Sequence, residues 1–141
     1  MSPLYTAKAT ATGGRSGSVK TDDGLLDLQL AVPTQMGGKG GATNPEQLFA
    51  AGYAACFGNA VIHVTRTTHK IADDDVTVVG TVSMAPNADG GFALSVALDV
   101  AIAGVDQDTA ETIVAQAHKV CPYSNAVRGN IDVELSVRAE A

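Results

Sequence analysis

Basic residues, aromatic residues and cysteine are all scarce in this sequence. Nine Lys and Arg residues stand against fifteen Asp and Glu residues, which gives a net charge of -6, and there are three Tyr, three Phe and no Trp. No cluster of basic side chains is interleaved with aromatic ones. Because an acidic chain repels phosphate groups, we expect neither nucleic acid nor an anionic membrane surface as a partner.

Signals for secretion and for membrane insertion are also missing. The N-terminus has neither a basic region nor an apolar one, so it does not resemble a signal peptide. The longest apolar run, Leu48–Val64, contains Asn59 and His63 and is shorter than the roughly 20 residues that a transmembrane helix needs. We therefore expect a cytoplasmic protein, no membrane association, and a buried helix over this run.

The sequence has only two cysteines, Cys56 and Cys121. A cytoplasmic chain rarely carries a structural disulfide, because that compartment keeps thiols reduced. The two residues are therefore inert core thiols, metal ligands or redox groups.

Hydrophobic patterning predicts a single α+β domain over residues 1–141. The length fits one domain, and 45% of the residues are hydrophobic, enough to form a core. Strands are predicted by alternation over 5–12, 18–21, 26–30, 76–84, 92–102 and 131–137. Helices are predicted over 44–67 and 108–121, with a short one over 123–127. We expect antiparallel sheets around two central helices, with Asp108 and Glu111 as the capping signature of the second helix.

The first predicted helix has a defined start and an apolar surface nearly all round. Asn44 can cap it, Pro45 costs nothing at the first position, and Gln47 can close a capping box. A helix of this kind must be covered on every side. Since a chain of this length has little to cover it with, we expect a homodimer, in which small residues allow close approach: Ala51, Gly52, Ala55 and Ala60.

The two cysteines differ in their local environments. Cys56 lies too far inside the helix for the N-terminal dipole to lower its pKa, so activation requires a cation from elsewhere, and an inert buried thiol is the alternative. Cys121 precedes Pro122 and can cap the short helix, where backbone N–H groups favour a thiolate.

Histidine positions do not predict a metal site. His63 follows Cys56 by about 10.5 Å along a helix axis, too far for one tetrahedral ion. The pair of His118 and Cys121 is closer but has no further ligand, so no metal is expected. The sequence pairs none of His63, His69 and His118 with a nucleophile, although a Cys–His hydrolase remains open.

Arg15 and Glu46 could supply the cation that activation of Cys56 requires. Arg15 lies in a glycine turn and Glu46 in the first turn of the predicted helix. Taken singly, each has an ordinary explanation as a solvated residue or a partner of the helix dipole. Together they offer a permanent cation and a carboxylate that can hold it in a bidentate pair. The glycine-rich stretch 37–41 lacks the ending of a phosphate-binding loop and is predicted to be a surface loop.

Three motifs resemble those of a known family. Gly13-Gly14-Arg15, NPEQLFAAGYAACF at 44–57 and VCPYSNAVRGN at 120–130 look like the organic hydroperoxide resistance proteins of the OsmC-like superfamily. The resemblance covers nearly the whole chain, and VCPYS favours this branch over the osmotically inducible OsmC branch. Ser16, Ala54 and Val127 depart from the family pattern at non-catalytic positions.

The resemblance implies a peroxidase on an intertwined homodimer of the OsmC-like fold. It assigns Cys56 as the peroxidatic thiol, Cys121 as the resolving thiol, and Arg15 with Glu46 as the activating pair. It implies reduction of organic hydroperoxides to alcohols through a sulfenic acid and a Cys56–Cys121 disulfide. It further implies defence against oxidative stress, no cofactor, and a dihydrolipoyl group on a lipoylated protein as reductant. An OsmC-branch peroxidase, a Cys-dependent hydrolase and a non-enzymatic binding module are the alternatives.

Overall fold

A computed structural model describes residues 1–140 and shows two compact units, Met1–Leu48 and a second that begins at Phe49. The described residues contain both helices and strands, in the α+β class that the patterning predicts. The assignment of 1–141 to one domain stays a prediction.

The first unit contains a three-stranded antiparallel sheet. Its strands are β1 (Ala9–Thr12), β2 (Ser18–Thr21) and β3 (Asp27–Gln29), in the order β1-β2-β3. β2 has the predicted bounds, whereas β1 begins at Ala9 rather than at residue 5. The alternation over 26–30 gives leucine at every second position, which predicts one core-facing side, but within the described chain Leu30 is buried and Leu28 is exposed. Every residue of β1 and β3 is exposed within the described chain.

A tight glycine turn joins β1 to β2. Gly13 and Gly14 have φ of 81° and 58°, in the left-handed region that favours glycine. A Cβ at Gly17 would lie 1.7 Å from the carbonyl oxygen of Thr12. The glycines thus allow the backbone to fold closely around Arg15.

The helix α1 (Pro45–Thr65) ends two residues before the predicted boundary. The side chain of Asn44 caps it by accepting the backbone N–H of Gln47 at 2.9 Å. The predicted capping box is wrong, because the Gln47 side chain instead accepts a hydrogen bond from Thr43 Oγ1 at 2.7 Å.

Its own chain covers only part of α1. The buried residues of the helix are Tyr53, Phe57, Ala60, Val61 and Thr65. Ala60 therefore packs in the core of its own chain. The prediction of a helix buried on every side does not hold within one chain.

By length and composition alone, α1 could cross a membrane. It has 21 residues, with a mean hydropathy of 1.4 over an 18-residue window that is 28% buried. The apolar run Leu48–Val64 is by itself too short to span a membrane, but α1 extends beyond it at both ends. A single such helix is weak evidence, since core helices of soluble proteins pass the same test.

The second unit contains a mixed three-stranded sheet. β4 (Val76–Pro86) and β5 (Phe92–Ala103) form the predicted long antiparallel hairpin. β6 (Glu134–Glu140) begins later than predicted and pairs with β5 in parallel, so the sheet order is β4-β5-β6. The prediction of purely antiparallel sheets is wrong here, because the helices after β5 form a crossover that returns the chain in the same direction.

Two helices make up this crossover. α2 (Gln107–Val120) is capped by Asp106, which accepts the Thr109 N–H at 2.8 Å, so the predicted cap at Asp108 is displaced by two residues. α3 (Pro122–Val127) follows directly, as predicted. The Gln107 side-chain amide donates to the Val137 carbonyl and accepts the Ala139 N–H on β6, both at 2.9 Å.

The hydrophobic core of the second unit lies between the helices and the sheet. It contains buried side chains of α1, β5 and α2 in one continuous cluster. The α2 members recur at three- or four-residue spacing: Ala110, Ile113, Val114 and Ala117.

Candidate active site

The thiols of Cys56 and Cys121 lie together in the second unit. Their Sγ atoms are 3.7 Å apart. Cys56 is half-buried on α1, and Cys121 is fully buried at the junction of α2 and α3. A disulfide bond is about 2.05 Å long, so only a small movement separates this arrangement from a bonded one.

The sequence around Cys121 explains its position. Proline disfavours a helical conformation in the preceding residue, and Cys121 has the extended angles φ -63° and ψ 123°. Its N–H still donates to the Ala117 carbonyl, and its own carbonyl accepts the Asn125 N–H. Cys121 therefore ends α2 and caps α3 at one sharp bend.

The groups around Cys56 in the second unit act on its pKa in opposite directions. Burial raises the pKa of the Cys56 thiol, a hydrogen bond from the Tyr123 backbone N–H lowers it, and the Cys121 thiol raises it further, with a net upward shift. From the sequence, the amide groups of α3 were expected to lie at Cys121. The structure instead brings the Tyr123 amide to Cys56, and the Cys121 side chain makes no capping hydrogen bond.

A cavity of about 280 Å³ opens beside Cys56. This volume is just below the range of about 300–1,000 Å³ that is usual for ligand pockets, which suits a small organic molecule. His63 and Cys56 share this cavity without a hydrogen bond between histidine and thiol in residues 1–140. Its lining residues are Cys56, Asn59, Ala60, His63, Val120 and Pro122.

Arg15 and Glu46 form a bidentate ion pair in the first unit. Arg15 Nη1 donates to Glu46 Oε2 at 2.8 Å and Nη2 to Oε1 at 2.7 Å. The side chains are 37% and 17% exposed, respectively. The hydrogen bond from Arg15 lowers the pKa of Glu46, and the same bond raises the pKa of Arg15. The predicted pairing is confirmed, whereas its effect on Cys56 stays a prediction.

The glycine-rich loop lines a cavity of the first unit, of about 480 Å³. Lys39 is exposed in this loop and is the charged residue of the lining. Gly37, Gly40 and Gly41 have positive φ, which fits the predicted surface loop.

A hydrogen-bonded group of side chains that was not predicted from the sequence lies on the helices that carry the thiols. Ser124 Oγ lies 2.7 Å from the Tyr53 hydroxyl and 2.8 Å from His118 Nδ1. A signal was present, because Tyr53 and His118 each precede a cysteine by three residues, which places them on the same helix face as that cysteine.

The histidines do not form a catalytic pair with a thiol among residues 1–140. The imidazole of His118 is hydrogen-bonded to Ser124, which is fully buried and therefore inaccessible as a nucleophile. No group of three potential metal-binding side chains occurs in the same part of the chain.

Comparison with known proteins gives consistent matches over nearly the full length. The family model described as OsmC-like protein matches residues 38–136. An organic hydroperoxide resistance protein of Xanthomonas axonopodis pv. citri is 49% identical, over 95% of this chain and 94% of the relative. The organic hydroperoxide resistance protein OhrB of Bacillus subtilis is 46% identical, over 96% of this chain and 98% of the relative.

A crystal structure shows the same similarity in three dimensions. The organic hydroperoxide resistance protein OsmC of Legionella pneumophila matches with a TM-score of 0.93 at 55% identity. The match covers 97% of this chain and 99% of that chain.

Proposed function

Because the chain belongs to the OsmC-like protein family, we propose that it is a thiol-dependent peroxidase that reduces organic hydroperoxides to alcohols in defence against oxidative stress. The relatives named organic hydroperoxide resistance proteins support this branch of the family over the OsmC branch. The observation that carries the proposal is the 3.7 Å separation of the Cys56 and Cys121 sulfurs.

In the first step, the Cys56 thiolate attacks the terminal oxygen of the hydroperoxide. An S–O bond forms, the O–O bond breaks, and the leaving alkoxide takes up a proton to become an alcohol. Sulfur is oxidised by two electrons and the peroxide is reduced by two. The small cavity beside Cys56 supports this role, because it gives a ligand access to a thiol that is otherwise half-buried.

In the second step, the Cys121 thiol reacts with the sulfenic acid on Cys56. The S–S bond forms, the S–O bond breaks, and the hydroxyl group leaves with the thiol proton as water. The buried position of Cys121 supports a resolving role, because a thiol with no exposed surface meets Cys56 more readily than a bulky peroxide.

Arg15 and Glu46 complete the proposed site. Since burial raises the pKa of Cys56, a thiolate at neutral pH requires a positive charge from another part of the protein. We assign this charge to Arg15, which also hydrogen-bonds the peroxide, and we assign Glu46 the role of holding Arg15. Their bidentate contact supports the second of these roles.

The proposed cycle ends with reduction by a dithiol. A dihydrolipoyl group of a lipoylated protein transfers two electrons to the Cys56–Cys121 disulfide and becomes a cyclic disulfide. The cytoplasm stays the proposed compartment, because thiols are kept reduced there.

A homodimer remains part of the proposal. Its support is the apolar surface of α1 that one chain leaves uncovered, which includes the exposed residues Ala51 and Ala55. The other two small residues of the prediction are not available to a partner subunit. Gly52 lies against Tyr123, and Ala60 is buried in its own chain.

One assay tests the proposed function. Purified protein is given cumene hydroperoxide with dihydrolipoamide as reductant, and alcohol production is measured beside a Cys56→Ser variant. Serine is nearly isosteric, but its hydroxyl is not appreciably ionised at neutral pH, so we expect turnover by the wild type and none by the variant. Equal turnover by both proteins would remove Cys56 from the mechanism.

A further inference from the structure

Ser124 lies at the centre of a buried chain of hydrogen bonds. Its Oγ is 2.7 Å from the Tyr53 hydroxyl and 2.8 Å from His118 Nδ1. The side chains of Tyr53 and Ser124 have no exposed surface, and His118 is half-buried. The mechanism above uses none of these three residues.

Each of the three hydrogen-bonded residues lies on a different helix that carries or flanks a thiol. Tyr53 precedes Cys56 by three residues on α1, His118 precedes Cys121 by three residues on α2, and Ser124 follows Cys121 by three residues on α3. One hydroxyl group therefore joins the three helices that bring the two sulfurs together.

We propose that Tyr53, Ser124 and His118 are positioning residues that hold Cys121 in place to react with the sulfenic acid on Cys56. This inference rests on the proposed peroxidase cycle and concerns its second step. The hydrogen bonds fix α3 against α1, so that the bend at Cys121 keeps its sulfur close to Cys56.

The chemistry of the three groups allows every bond in the chain to be satisfied. With a neutral imidazole that accepts at Nδ1, the Tyr53 hydroxyl donates to Ser124 and the Ser124 hydroxyl donates to His118. Burial lowers the pKa of His118, as does the positive charge of Arg128, which favours this neutral form. No buried side-chain nitrogen or oxygen of residues 1–140 lacks a hydrogen-bond partner.

Loss of the central hydroxyl has a clear physical cost. It leaves the Tyr53 hydroxyl without its partner in a site with no exposed surface, and an unpaired buried polar group tends to shift until it finds a new one. A displacement of about 1 Å can slow a reaction that depends on alignment by about a hundredfold.

Aromatic packing holds α3 against α1 independently of these hydrogen bonds. The Tyr123 ring packs against Phe49 and Tyr53, with centroids 6.1 Å and 5.5 Å apart. We therefore expect variants of the hydrogen-bond chain to retain α3 and to lose only the alignment of Cys121.

The test separates the two steps of the cycle. Reduced wild type and the variants Ser124→Ala, Tyr53→Phe, His118→Leu and His118→Asn are mixed with cumene hydroperoxide and dimedone, which traps sulfenic acid. Mass spectrometry then gives the ratio of dimedone adduct on Cys56 to Cys56–Cys121 disulfide. The asparagine variant is the matched control, because its side-chain amide can occupy the place of Nδ1, whereas leucine cannot.

We expect mainly disulfide in the wild type and an adduct-to-disulfide ratio about ten to a hundred times higher in Ser124→Ala and His118→Leu. His118→Asn should restore most of the wild-type ratio, and Tyr53→Phe should fall between. A wild-type ratio in folded Ser124→Ala and His118→Leu would overturn the positioning role, as would equal ratios in His118→Asn and His118→Leu.

Circular dichroism and melting curves establish which variants are folded. If Ser124→Ala does not fold, the matched pair at His118 decides the question. If the wild type forms neither adduct nor disulfide, the proposed function itself fails, which is distinct from an unchanged ratio in the variants.

Discussion

The sulfur atoms of Cys56 and Cys121 lie 3.7 Å apart although 65 positions separate the two residues in the sequence. Cys56 is half-buried and lines a cavity, whereas Cys121 is fully buried. The two thiols thus differ in how easily a substrate reaches them. We therefore expect substitution of each to have a different effect.

Replacement of Cys121 by serine should stop the cycle after one turnover. Cys56 still attacks one hydroperoxide, but its sulfenic acid has no thiol partner in the same chain and is exposed to further oxidation to sulfinic acid. We expect a burst of one alcohol per protein, measured by rapid quench, followed by inactivation in excess hydroperoxide. Mass spectrometry should show the sulfinic acid on Cys56.

The wild type is the control for this variant. Treated with the same peroxide, it should lose two hydrogens and gain a Cys56–Cys121 linkage within the chain. Normal cycling by Cys121→Ser, or only intermolecular disulfides in the wild type, would refute the resolving role.

Replacement of Arg15 by alanine should raise the pKa of Cys56 further. Burial already raises the pKa of this thiol, so loss of the proposed cation leaves less thiolate at neutral pH and slows the reaction with peroxide. Arg15→Lys keeps a charge but not the two-pronged geometry, so its effect should be smaller. The rate of thiol alkylation as a function of pH measures this pKa, and an unchanged profile in Arg15→Ala would remove Arg15 from the activating role.

The Arg15–Glu46 pair should make stability depend on pH. Because the hydrogen bond from Arg15 lowers the pKa of Glu46 in the folded state, this carboxylate stabilises the fold above the pKa of an unfolded glutamate, about 4.3. The contribution is lost as the pH falls through the lower folded pKa. Urea unfolding at several pH values should therefore show that wild type and Glu46→Gln differ most near neutrality and converge in acid. A difference that does not change with pH would contradict this linkage.

Gly52 and Tyr123 should be coupled in stability. A Cβ at Gly52 would lie 2.6 Å from the Tyr123 hydroxyl oxygen, so Gly52→Ala displaces this ring. In a Tyr123→Ala background the obstacle is gone, and Gly52→Ala should stabilise the helix by about 1 kcal/mol. With Tyr123 present, the gain should be smaller or reversed, and a double-mutant cycle from denaturant unfolding measures the difference. Equal effects in both backgrounds would show that the contact between residue 52 and Tyr123 does not change the free energy of unfolding.

Local patterns in the sequence predicted elements that depend on near neighbours. Asn44 caps α1 through a bond to a residue three positions away, and Pro122 ends α2 at the adjacent residue. The alternation over 76–84 and 92–102 likewise predicted the hairpin, because a short turn connects two strands whose more buried residues alternate with exposed ones.

Pairings between residues far apart in the sequence were harder to predict from local patterns. The parallel pairing of β6 with β5 depends on how α2 and α3 cross between them, and strand periodicity is the same in parallel and antiparallel sheets. Similarly, the Arg15–Glu46 contact was a conditional expectation, because it required the glycine turn to meet the first turn of α1.

Candidate site residues were proposed from the sequence only where residue types suggested chemistry. The two cysteines did so by themselves, whereas Arg15 and Glu46 did so only as a pair. Ser124 and Tyr53 did not, because a serine in a short helix and a tyrosine in an apolar helix have ordinary explanations until their hydrogen bond is seen.

The side-chain amide of Gln107 also has a consequence for the edge of the second sheet. β6 is the last strand of its sheet, and a free strand edge is a template for pairing with another molecule. By bonding the Val137 carbonyl and the Ala139 N–H, Gln107 occupies the same kind of backbone groups that an incoming strand would use. We therefore expect Gln107 to hinder the pairing of a strand from another molecule with this part of β6.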